Sequence, residues 1–163
     1  MHVYLLRHGI AEDGRAGQSD ADRGLTGEGR KKLQQVLERA AKAGVNPTLI
    51  LSSPLKRALQ TAEIAKETLG HKDEILTSKV LAPGSNSERV WQEIRGHRDQ
   101  EAVLLVGHNP LFSDLTGYLL GHPNMQMDFK KGAIVRVDLE SFGAVPRGVL
   151  RWYLTAKLAD GRN

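Results

Sequence analysis

Three short apolar runs mark the chain, and each stops abruptly at a polar corner. Val3 to Leu6 ends on Arg7, His8 and Gly9; Thr48 to Leu51 ends on Ser52, Ser53 and Pro54; Ala102 to Val106 ends on Gly107, His108, Asn109 and Pro110. Apolar runs this short, without polar alternation, read as strands buried on both faces of a parallel sheet. The stretches that follow have helical spacing. Thr26 is placed to cap a helix over Gly27 to Ala43, whose stripe is Leu33, Val36, Leu37, Ala40 and Ala41 and whose stop is Gly44. Ser53 and Pro54 open a second helix that runs to Leu69 and closes at Gly70, with Arg57 in its first turn, within reach of the strand end.

Ile75 to Leu81 reads as a further strand, although Thr77, Ser78 and Lys79 interrupt its apolar pattern. Ala82 to Asn86 is a turn, and Ser85 or Asn86 caps a helix carrying Val90, Trp91 and Ile94. Asn109 and Pro110 repeat the cap-then-proline device before a helix with Leu111, Leu115, Tyr118 and Leu119, closed by Gly121. The last third differs. Ala133 to Leu139 and Val149 to Leu158 are β-branched and aromatic runs with only a Gly/Pro turn between them, which predicts an antiparallel hairpin on the sheet edge. Ala11 to Gly24 has no periodicity and is expected to be a mobile surface loop, and Gly161 to Asn163 a polar tail.

Composition narrows the class. The 163 residues, 40% of them hydrophobic, suffice for one core, so a single domain spanning 1–163 is expected. A net charge of +4 gives a mild preference for anionic partners, but Lys and Arg are scattered, which argues against nucleic acid. The absence of cysteine excludes disulfides, zinc–thiolate sites and a thiol nucleophile. No apolar run approaches the ~18 residues of a membrane span, and the chain starts on a strand without a leader pattern, so a soluble cytoplasmic protein is expected.

In parallel βαβ units the strand-to-helix corners share one sheet edge, where helix N-termini also converge. That edge would gather Arg7 with His8, Ser53 with Arg57, and His108, with no carboxylate from the same corners. Two guanidinium groups and two imidazoles suit a dianionic tetrahedral ligand, with phosphate the obvious one. A neutral imidazole is a competent nucleophile toward phosphorus, and neighbouring cations keep it unprotonated while stabilising charge on the equatorial oxygens. His8 outranks His108 as nucleophile because Gly9 lets substrate approach closely. A metal site is disfavoured, since the nearest carboxylates, Glu12 and Asp13, lie in the loop. His2, His71, His97 and His122 have no comparable setting and read as surface or packing residues.

Four blocks carry a resemblance. Arg7-His8-Gly9, Leu25-Thr26-x-x-Gly29, Ser53-Pro54-x-x-Arg57-Ala58-x-Gln60-Thr61 and Val106-Gly107-His108-Asn109-Pro110 resemble, in order, the histidine phosphatase (phosphoglycerate mutase-like) superfamily. The short length, the Leu81-Ala82-Pro83-Gly84 turn and the Phe129-x-x-Gly132-Ala133-Ile134 stretch look most like its SixA-type phosphohistidine phosphatases. The resemblance implies a three-layer α/β/α sandwich and a reaction without metal or cofactor through a phosphohistidine intermediate. It maps the nucleophile onto His8 and the phosphate-holding groups onto Arg7, Arg57 and His108, with Gly9 and Asn109 also lining the substrate site.

Larger members carry a carboxylate general acid after the Arg57-type helix, whereas here the turn offers Ala82, Pro83, Gly84 and Ser85, with Glu88 more distant. An alkoxide leaving group corresponds to a pKa near ~15 and needs that acid; an imidazole, near 6.5, does not. The expected substrate is therefore a phosphohistidine-bearing protein. A small phosphorylated substrate, acted on by a phosphomonoesterase or mutase of the same superfamily, is the alternative, and Glu12, Asp13 or Glu88 beside the pocket would favour it. A non-catalytic phosphate-binding module is the third reading.

Overall fold

The computed structural model describes residues 1–161, so the expected tail lies, after Gly161, outside the described residues. Six strands form one sheet: β1 (His2–Arg7), β2 (Leu49–Ser52), β3 (Leu76–Thr77), β4 (Ala102–Gly107), β5 (Ile134–Asp138) and β6 (Val149–Leu154). Their order is β3-β2-β4-β1-β5-β6. The first four are parallel, and β5 and β6 add the antiparallel edge foreseen from the hairpin pattern.

Alternation along the strands explains the layers. Val3 and Leu5 of β1 and Val103 and Leu105 of β4 face one core, with Trp91, Ile94, Phe112 and Leu115. Tyr4, Leu6, Leu104 and Val106 face the other, with Leu33, Leu37, Ala58 and Ala62. Both faces of the central strands are thus apolar, and α1 (Gly27–Lys42) and α2 (Lys56–Leu69) cover one while α3 (Ser87–Gly96) and α4 (Leu111–Leu119) cover the other. The fold is the expected three-layer α/β/α arrangement.

Several boundaries differ from the sequence expectation. The strand expected over Ile75–Leu81 shrinks to β3 and a 3-10 turn at Lys79–Leu81, because polar residues at 77–79 leave nothing to bury on two faces. The second helix starts at Lys56, not Pro54; Ser53 Oγ still accepts from the Leu55 amide at 3.3 Å. Pro110 precedes α4 instead of opening it, and Asn109 Oδ1 accepts from the Ser113 amide at 3.1 Å. The last run, expected as strand to Leu158, breaks at Thr155, whose hydroxyl accepts from the Leu158 amide and caps a short helix α5 (Ala156–Asp160).

Candidate active site

The helices after β1 and β4 leave in opposite directions: α1 packs on one face of the sheet and α4 on the other. Adjacent parallel strands whose crossovers diverge in this way leave a crevice at their C-terminal ends. Register brings those ends level, with Arg7 beside Gly107 and Ser52 beside Val106. The ladder continues one step further, the His8 amide donating to Gly107 O and the Ser53 amide to Val106 O, each at 2.9 Å. His8, Ser53 and His108 are therefore delivered to one place by rigid backbone.

A cleft of about 280 Å³ opens there, and Arg7, His8, Arg57, His108 and Asn109 all line it. The two imidazole centroids are 5.1 Å apart. His8 is 7% exposed, and its Nδ1 lies 2.7 Å from Gly9 O. A carbonyl only accepts, so Nδ1 carries the proton and Nε2 holds the free lone pair. Burial chiefly, with Arg57, Arg7 and Lys131 adding to it and the Gly9 bond opposing, lowers the His8 pKa to about 4. His108, 2% exposed with Nε2 2.7 Å from Ser53 Oγ, is lowered to about 3 by burial first and then by His8 and Arg57. Both rings are neutral at neutral pH.

The guanidinium groups are held from outside the strands. Arg7 Nη1 donates to Phe129 O at 2.6 Å, in the segment before β5. Arg57, 5% exposed, donates through Nη1 to Asp20 O at 3.0 Å and through Nη2 to Asp20 Oδ2 at 3.2 Å. Arg7 Nε, Arg57 Nε and His108 Nδ1 are buried and have no hydrogen-bond partner among the described residues. Gly9, expected to line the substrate site, is not among the residues that line this cleft; its close approach is to α1. A Cβ added there would come within 2.6 Å of Leu33 Cδ1, and its amide donates to Thr61 Oγ at 3.2 Å, while Thr61 itself donates to Arg57 O.

Sequence reasoning missed several contributors. The corners themselves bring no carboxylate; the 11–24 segment brings Asp13, already named as a sign of an ester substrate, and two residues the sequence did not single out, Asp20 and Arg23. That segment is also not a loose loop. Ala11 bridges to Leu25, residues 20–22 form a 3-10 turn, and Arg23 Nη1 donates to Glu12 O at 3.1 Å. Its anchor is Arg57, an ion partner distant in sequence, and no periodicity could have revealed it. Lys131 also lines the cleft, and its only sequence signal is its place inside the Phe129-x-x-Gly132 stretch. Among the described residues, no group of three or more His, Asp or Glu side chains is arranged to hold a metal ion, and no helix is long and apolar enough to cross a membrane.

Comparison with known proteins follows the same lines. A sequence profile of the Histidine phosphatase superfamily (branch 1) matches residues 3–82. An uncharacterised protein of Picosynechococcus sp. is 31% identical over 137 residues, 83% of each chain. A probable phosphoglycerate mutase GpmB of Proteus mirabilis is 47% identical over 66 residues, 39% of this chain and 30% of that protein. Among solved structures, the protein histidine phosphatase SixA complexed with tungstate superposes with a TM-score of 0.87 at 25% identity, over 97% of this chain and 99% of that one.

Proposed function

Because the chain belongs to the histidine phosphatase superfamily, whose members are phosphatases or mutases, we propose that it is a phosphohistidine phosphatase that works through its own phosphohistidine without a metal. The observation that carries this reading is the His8 ring. Its Nδ1–H is tied to Gly9 O, which turns a neutral Nε2 lone pair toward a cleft edged by two guanidinium groups and a second imidazole.

His8 Nε2 attacks phosphorus in line on a substrate ring whose other nitrogen carries a proton; the P–N bond breaks, its electron pair stays on the ring nitrogen, and the ring leaves as neutral imidazole. Water then attacks the phosphorus on His8 and releases inorganic phosphate. Transfer between two imidazoles exchanges one P–N bond for another, so the first step is nearly balanced in free energy. Arg7 and Arg57 hold the equatorial oxygens and draw off charge in the transition state. His108 joins them as a donor. The 25%-identical SixA structure, a protein histidine phosphatase bound to tungstate, supports both the anion and the substrate class.

One observation favours a small phosphate ester instead. Asp13 and Asp20 line the cleft; Arg57 and Arg23 hold Asp20 as a carboxylate, which leaves Asp13 as the carboxyl placed to protonate an alkoxide. The discriminating experiment compares kcat/KM for a histidine-phosphorylated protein with that for sugar phosphates and phosphoglycerates, in the natural sequence and in Asp13→Asn. Preference for the phosphoprotein, with little change in Asp13→Asn, is expected. Preference for the esters, with a loss of 10²-fold or more in Asp13→Asn, would assign Asp13 as general acid and the substrate as an ester.

A further inference from the structure

A second depression adjoins the cleft. It has a volume of about 610 Å³, and Arg7 and Lys131 line both spaces, so the two are neighbours across those side chains. Its rim carries Arg7, Lys32, Lys130, Lys131 and Lys157 against one carboxylate, Asp128. The chain's net charge is only +4, so this rim concentrates as much positive charge as the whole molecule shows. Of these cations, Lys32 pairs with Glu28 at 2.9 Å and Lys130 with Asp128 at 2.8 Å, both at exposed positions. Exposed pairs of that kind are weak and exchange readily for another anion. No carboxylate lies within ion-pair distance of Lys131 or Lys157 among the described residues.

The floor is small and partly apolar, made by Ile10, Thr155 and Ala156. It has no aromatic ring on which a base could stack, which separates it from a single-stranded nucleic-acid groove. The elements that build it are those the sequence pattern left without a role. Lys157 sits on α5, held in place by the Thr155 cap, and Lys130 is fixed through its amide, which donates to the Tyr153 hydroxyl at 2.9 Å.

Resting on the phosphohistidine reading above, we infer that this lysine-rimmed groove docks an acidic segment flanking the phosphohistidine of the protein substrate. With the phosphoryl group at His8, the substrate backbone leaves the cleft past Arg7 and Lys131 and enters the groove. At ~3.3 Å per residue, Asp or Glu side chains a few residues from the phosphohistidine reach Lys130 and Lys157. The groove then acts on binding of the macromolecule and leaves the chemical step alone, so it affects KM and the salt dependence but not kcat.

The test uses synthetic phosphohistidine peptides with three glutamates on each side, or three alanines on each side. It is run on the natural chain and on the double variant Lys130→Glu with Lys157→Glu, whose positions are exposed and outside the cleft. The natural chain is expected to favour the glutamate peptide by about tenfold or more in kcat/KM, wholly through KM. High salt should erase the preference. In the double variant the preference disappears or reverses, while turnover of the alanine peptide stays the same. Equal kcat/KM for the two peptides in the natural chain would overturn the docking groove and leave the phosphohistidine phosphatase standing. Failure to turn over either peptide, by a preparation active on phosphate esters, would overturn both. Competitive inhibition by a single-stranded oligonucleotide but not by the unphosphorylated glutamate peptide would also overturn it, reassigning the groove to nucleic acid.

Discussion

His8 shows how little is needed to make an imidazole a nucleophile. A single bond from Nδ1–H to Gly9 O selects the tautomer, and burial, with Arg57, Arg7 and Lys131 nearby, lowers the pKa to about 4. The ring should therefore stay neutral, in the Nδ1–H form, from pH 8 to about pH 5 in the free protein. Nitrogen-15 shifts of the His8 ring check this, and a midpoint near the ordinary 6.5 would contradict it. The same shift has a stability consequence whose sign follows from proton counting. On acidification the unfolded chain takes up a proton at each histidine through about 6.5, whereas folded His8 does so only near 4 and folded His108 near 3. Protons are thus bound preferentially by the unfolded state, so stability is full above about pH 6.5 and falls as the pH drops toward 4. For His8 alone the loss over that window is about 3 kcal/mol. The urea midpoint of the natural chain should fall between pH 6.5 and 4 more steeply than that of His8→Asn, whose amide N–H can still reach Gly9 O without titrating. Parallel profiles would remove His8 from the account.

At the scale of elements, the corners were legible and the segment that covers them was not. Strand runs, caps and glycine stops are local signals, so β1, β2 and β4, the helices behind them, and the meeting of Arg7, His8, Arg57 and His108 could all be read from spacing. Thr26 of the second block is the expected cap, and Gln60 of the third, which had no stated task, gains one. Thr26 Oγ caps α1 by accepting from the Gly29 amide at 2.9 Å, the Thr26 amide donates to Ile10 O, and Gln60 Oε1 accepts from the Leu25 amide at 2.8 Å. These bonds clamp the chain leaving His8. What was illegible is the 11–24 segment, because Asp20 finds Arg57 only in three dimensions. Asp20 Oδ2 takes up Arg57 Nη2, one of the donors that a bound phosphate would use, and its carboxylate is 64% exposed while the guanidinium is nearly buried. Substrate must therefore compete with that carboxylate. Asp20→Ala should tighten inorganic phosphate inhibition several-fold, on the scale of a partly exposed ion pair worth up to ~1 kcal/mol. Unchanged or weaker inhibition would make Asp20 a support for Arg57 and not its competitor.

At the scale of the molecule, the two cores are two faces of the same strands. Val3 and Leu5 belong to one and Tyr4 and Leu6 to the other, and β4 divides in the same way, so neither helical layer can separate without exposing apolar surface on the central strands. We therefore propose that residues 1–163 fold as a single cooperative unit, with the cleft a product of that unit and not of either layer. The two tryptophans report on the layers separately. Trp91 is fully buried with α3 in one core, while Trp152, on β6, packs against the other beside Tyr4. Phe can replace each in turn, leaving one indole per variant. The Trp91→Phe change also removes the indole donor to Gly143 O and lowers overall stability, so midpoints should not be compared between variants. The comparison lies within each variant, between tryptophan fluorescence and far-ultraviolet circular dichroism across a urea series. In each, the two signals should trace one transition with the same midpoint and slope. If Trp152 fluorescence changes at lower urea than the dichroism while Trp91 does not, then α1, α2 and α5 come away from a sheet that α3 and α4 still hold. The cleft would then belong to two units, since Arg57 rides on the layer that leaves and His108 follows directly on the strand that stays.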